Sequence, residues 1–77
     1  MNNSELKLAE IHINGKKYNL TLMDGSKWLI NPSDLPTVVT WISRSKIKIE
    51  KSNEASMYSY KLINLSEHTY VFANKVS

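Results

Sequence analysis

The stretch NLTLMDGSKWLI, residues 19–30, decides how the chain folds. Asp24-Gly25 is a turn signal set between two alternating apolar runs. A two-residue loop at Asp24-Gly25 puts Leu22 on one face with Lys27 instead of Trp28, which inverts the pattern. A three-residue loop over Met23, Asp24 and Gly25, with Gly25 left-handed beside a bulge, restores it. Leu22 then faces Ser26, and Leu20 faces Trp28. Tyr18, Leu20, Leu22, Trp28 and Ile30 share one buried face, while Lys27 points out. Agreement between turn and pattern is what fixes register, so this stretch reads as a β-hairpin.

Upstream, Asn14-Gly15 marks a second hairpin between alternating runs. A two-residue loop there sets Ile13 opposite Lys16, Ile11 opposite Tyr18 and Ala9 opposite Leu20, all inward. Glu10 and His12 face out. Residues 1 to 6 are polar and read as a frayed end. Downstream, Pro32 and Pro36 lack the amide hydrogen that a ladder needs. Ser33 or Asp34 can cap one turn of helix over residues 34–40. The β-branched run Thr37-Val38-Val39-Thr40 is a poor helix former, so a short 3-10 turn or an extended crossover is expected near 34–41, before Trp41. Lys46 to Ser52 alternates again, with Ile47 and Ile49 inward. A four-residue loop over Ser52 to Ala55 then pairs Ile49 with Tyr58 and Ile47 with Tyr60. In the last strand either Val71 and Ala73 or Tyr70 and Phe72 face the core, and the first pair is favoured.

With 77 residues the chain is long enough for one domain, and the whole of it reads as a single small barrel. Its 42% hydrophobic and 22% charged residues are ordinary globular values. It has no cysteine, which removes a disulfide framework, a thiolate metal site and a cysteine nucleophile together. That also leans towards a reducing compartment. No apolar leader and no run near ~20 apolar residues occurs, so a cytoplasmic location without membrane contact is the default. The sequons at Asn2, Asn19 and Asn64 read as chance matches in an Asn-rich chain. Five or six short antiparallel strands are too few for two sandwich layers and should curl into an all-β barrel. Meander hairpins and a longer link after the third strand point to a small SH3-like barrel. The oligonucleotide-binding barrel comes second, because it wants a longer chain and a clear helix.

The residues LMDGSKW, then Asp34, Trp41, KIKI and KLIN, resemble a group of small bacterial SH3-like β-barrel proteins with a DGS-x-W hairpin. The likeness covers residues 18 to 64. The group carries Gly-Asp before its V/I-x-I strand, where this chain has Ser43-Arg44-Ser45. The group lacks an assigned activity, so the resemblance implies a fold and brings no catalytic residue.

Function is weakly marked. His12 and His68 stand far apart in sequence, and a structural metal site wants four clustered ligands, so no metal or other cofactor is expected. The two glycines, Gly15 and Gly25, are already used by turns, which leaves no phosphate cradle and no nucleophile elbow. A barrel this small also has little interior for a deep pocket of roughly 300 Å³. A non-catalytic module is therefore expected. Two surfaces compete for its partner. Trp41, with Asp34 and Pro36, is either an aromatic platform for a protein or a second copy, or a plug in one end of the barrel. Arg44, Lys46, Lys48, Lys51 and Lys61 cluster in the second half. With Ile47 opposite Tyr60, Lys46 faces Lys61, and a Lys46–Lys48–Lys61 face beside a tyrosine suits a single nucleic-acid strand. The protein or self-association reading leads, and nucleic acid is the alternative. The net charge of +3 is modest for a dedicated nucleic-acid binder.

Overall fold

A computed structural model describes residues 6–15, 17–52 and 57–76. Six strands run in chain order: β1 (Leu6–Asn14), β2 (Lys17–Leu22), β3 (Lys27–Ile30), β4 (Lys46–Lys51), β5 (Tyr60–Asn64) and β6 (Thr69–Lys75). A 3-10 turn, Pro32–Asp34, leads into one helical turn, α1 (Leu35–Val38), between β3 and β4. The strands close into an antiparallel barrel in the order β1-β2-β3-β6-β5-β4, an all-β fold consistent with a small SH3-like barrel.

The DGS hairpin forms as its residues dictate. Leu20 pairs with Trp28, the Leu22 amide donates to Ser26 O at 3.0 Å, and Gly25 sits at φ +90°. Asp24 locks the turn by accepting from the Ser26 amide at 2.9 Å and its hydroxyl at 2.6 Å. The same hydroxyl oxygen accepts from Trp28 Nε1 at 2.9 Å, so the turn also satisfies the buried indole. Those bonds hold the Asp24 carboxyl below its ordinary value. The Ser26 hydroxyl contributes most and its amide next, against a smaller opposing effect of burial, and the Lys75 charge adds to the lowering.

The first hairpin differs from expectation in register. Asn14 stays in the strand and pairs with Lys17, so the loop begins at Gly15, at φ +63°. Ile11 then pairs with Leu20 and Ile13 with Tyr18, a shift of two residues that keeps Ile11 and Tyr18 packed on the core, while Ile13, expected inward, is 53% exposed. Lys16 lies outside the described residues. The register slips once more between Leu8 and Glu10, where Ala9 is the extra residue of a β-bulge. The bulge turns Leu8 inward, fully buried opposite Leu22, in the place expected for Ala9. Nor is Leu6 part of a frayed end, because it opens β1 and pairs with Ile47 on β4. Residues 1–5 lie outside the described residues.

The core joins Leu8, Leu20, Leu22, Trp28, Ile30, Val38, Trp41, Ile47, Leu62, Val71 and Ala73, with Leu6, Ile11, Tyr18, Leu35, Ile49 and Tyr60 packed against them. Val71 and Ala73 thus face in, as favoured from sequence. Tyr60 meets Trp28 edge-on, with ring centroids 5.3 Å apart. The expected pairing of Ile47 with Tyr60 does not occur. Ile47 pairs with Asn64, Ile49 with Leu62 and Lys51 with Tyr60. The link from β4 to β5 is longer than a four-residue loop because Asn74 of β6 captures its return limb. Asn74 Oδ1 accepts the Ser59 amide at 2.8 Å, and its Nδ2 donates to Met57 O at 2.9 Å. Asn53 to Ala55, the rest of the expected loop, lie outside the described residues.

Candidate functional site

Trp41 lies in the core at 5% exposure, and its Nε1 donates to Thr69 Oγ1 at 2.8 Å. The ring offers no platform at the surface. Asp34 is engaged as well. Neither it nor Ser33 caps the helical turn: the Asn31 side chain accepts the Ser33 amide at 3.1 Å instead. Asp34 Oδ2 accepts the Phe72 amide of β6 at 2.8 Å. β3 ends at Ile30, which pairs with Ala73; Asn31 adds one more bond, its amide donating to Phe72 O at 2.9 Å, and Pro32 cannot extend the ladder. The carboxylate therefore supplies the acceptor that a longer β3 would have given. Pro36 is exposed, as are Val39 and Ile42 just after α1.

The basic face is assembled differently from expectation. Lys61 sits across from Glu50, not Lys46, because β5 is displaced by four residues against β4. An even shift preserves facing, so Lys46, Lys48 and Lys61 still share the outer surface. Three cross-strand rows build it. Lys7 of β1 lies beside Lys46, whose carbonyl accepts the Leu65 amide at 2.8 Å. Lys48 pairs with Ile63, which pairs with Tyr70. Glu50 pairs with Lys61, which pairs with Phe72. Rows on one face stand roughly 7 Å apart along a strand. Lys48 reaches Glu50 at 3.3 Å across exposed side chains. Lys61 leans towards the neighbouring row, its ammonium 4.6 Å from the Tyr70 ring centroid. That distance is within cation–π range. Tyr70 is 51% exposed and meets Phe72 edge-on at 5.7 Å. Arg44 stands apart on the turn before β4, exposed and at φ +72°.

Sequence reasoning missed Lys7 and Phe72, and it named Tyr70 only as a possible neighbour of Trp41, leaving the tyrosine of the basic face open. Lys7 was hidden by the Ala9 bulge, and the two aromatics by the ambiguous facing of the last strand. Their signal was the parity of that strand once Val71 and Ala73 are placed inward.

A surface pocket of about 350 Å³ opens where α1 meets the start of β6, lined by Asp34, Thr37, His68, Thr69 and Tyr70. His68 is held at φ +60° in the β5–β6 turn, its amide donating to Asn64 O at 2.9 Å. Asn64 is fully buried, and its Oδ1 accepts the Ser66 and Glu67 amides at 2.9 Å each. His12 lies on β1 and pairs with Glu10 at 2.9 Å. Among the described residues no group of three or more His, Cys, Asp or Glu comes together, and no helix is long and apolar enough to cross a membrane.

Comparison with protein-family models, curated proteins and solved structures returns no match for this chain.

Proposed function

We propose that the protein is a non-catalytic binding module whose outer β4–β5–β6 face takes single-stranded nucleic acid. The observation that carries this reading is the Lys61 ammonium over the half-exposed Tyr70 ring, beside Lys46 and Lys48 on the same face. A positive strip with an adjacent aromatic plane is the minimal apparatus for tracking phosphates and stacking a base. Glu50 moderates the charge, so affinity should be modest.

The test is fluorescence anisotropy of a labelled oligonucleotide as salt is raised. Three lysine contacts at about 0.7 each predict a log–log slope near −2. Lys61→Ala should make the slope shallower by about 0.7. Tyr70→Ala should weaken binding by about 1–3 kcal/mol. No binding at low salt, or a flat slope, overturns the reading.

A second reading is a protein partner or a second copy at the α1 end. It is favoured by Pro36, Val39 and Ile42, exposed apolar residues on or just after one short turn. Binding there should be insensitive to salt and lost in Ile42→Lys.

A further inference from the structure

The pocket between α1 and the β5–β6 turn lies beside the proposed face and shares Tyr70 with it. We propose that it receives one base of the bound strand and selects bases that present an amino group. This rests on the nucleic-acid reading above and adds specificity to it.

The chemistry of the lining argues for a base and against a phosphate. Asp34 is the pocket's carboxylate, and it repels phosphate oxygens while accepting N–H donors. The backbone of a bound strand therefore stays over Lys46, Lys48 and Lys61, and a base turns inward beside Tyr70. Two oxygens of the pocket are held in place before any ligand arrives. Asp34 Oδ2 is fixed by the Phe72 amide and Thr69 Oγ1 by the buried Trp41 indole, each at 2.8 Å. Among the described residues no bond is made to Oδ1 of Asp34, which leaves it to accept from the ligand. An ionised carboxylate only accepts, so it suits the exocyclic amino groups of cytosine, adenine or guanine. Thymine places a carbonyl oxygen where cytosine places its amino group, and two acceptors face each other. The cavity, at about 350 Å³, is open and has space for a single base. His68 lines the same pocket from a left-handed turn position, where a side chain costs backbone energy that glycine would not. An imidazole on that lining can stack on the base or donate to it.

The experiment compares oligo(dC) with oligo(dT) of equal length, two single-ring homopolymers, by anisotropy at fixed salt. The wild type should prefer dC by about fivefold or more, as expected for one charge-assisted hydrogen bond. Asp34→Asn can still accept the Phe72 amide but turns an NH2 donor to the pocket, and should bring the ratio to one or below with an unchanged salt slope. In the wild type, the Thr37 and Thr69 amide signals should shift with dC and much less with dT, a readout that does not depend on the variant folding. Equal affinity for dC and dT, with binding still lost in Tyr70→Ala, overturns the pocket and leaves the face standing. No binding to either oligonucleotide overturns both.

Discussion

Replacing Trp41 by alanine should bring the barrel close to unfolding. The ring is buried to 95% among core residues, and its Nε1 is bonded to Thr69. Buried tryptophan to alanine costs about 3–5 kcal/mol in lost transfer energy and cavity. A domain of 77 residues has about 4–12 kcal/mol in total, so one substitution removes about a quarter or more. Trp41→Phe keeps most of the packing and loses the indole bond, for about 1–2 kcal/mol. Urea unfolding followed by far-UV circular dichroism separates the two, since it does not rely on the residue removed. With a slope of about 1 kcal/mol per molar urea, Trp41→Phe should lower the midpoint by about 1–2 M. Trp41→Ala should lower it by about 3 M or leave the chain unfolded in water. Combining Trp41→Phe with Thr69→Val should cost less than the sum of the two, because each removes the same bond. An alanine midpoint within about 0.5 M of wild type would refute the plug and restore the ring as a docking platform.

Arg44 holds φ +72° on an exposed turn. Arg44→Gly should relieve about 1 kcal/mol of left-handed strain and raise Tm by a few degrees, while Arg44→Lys leaves Tm unchanged. Equal melting temperatures for the two variants would sink the strain argument. The Asp24 carboxyl, held down chiefly by the Ser26 hydroxyl, is more acidic in the fold than its ordinary value of 3.8. Its contribution to stability is therefore present above that value and lost as pH falls through the folded-state value. Asp24→Asn should flatten the loss of stability between about pH 5 and pH 3, and parallel curves for variant and wild type would contradict the turn's electrostatics.

Much of the fold was legible because strand errors came in even numbers. The first hairpin slipped by two and β4–β5 by four, yet a slip of even size leaves each side chain on its face. Parity therefore found Ile11, Ile47 and Ile49 on the core side without a correct register. The DGS hairpin was read in full because only the three-residue loop keeps Leu22 and Trp28 on one face. Other features were not legible because their causes lie far away in the chain. Asp34 answers to Phe72, Trp41 to Thr69, and the long β4–β5 link to Asn74. Nothing in Leu6 to Glu10 marks Ala9 as a bulge. The candidate face suffered accordingly: its lysines were named, but the partner of Lys61 changed from Lys46 to Glu50, and Tyr70 emerged only once the barrel closed.

The seam between β1 and β4 has a kinetic consequence. Four of the six strand contacts join neighbours along the chain and can form as hairpins. The β1–β4 seam brings together residues ~40 positions apart through two paired positions, Leu6 with Ile47 and Lys7 with Lys46. Two further backbone bonds, at Leu8, extend it towards Ser45 and Arg44. Closing that distance costs chain entropy before the short seam returns any of it. The barrel should therefore shut here last and part here first.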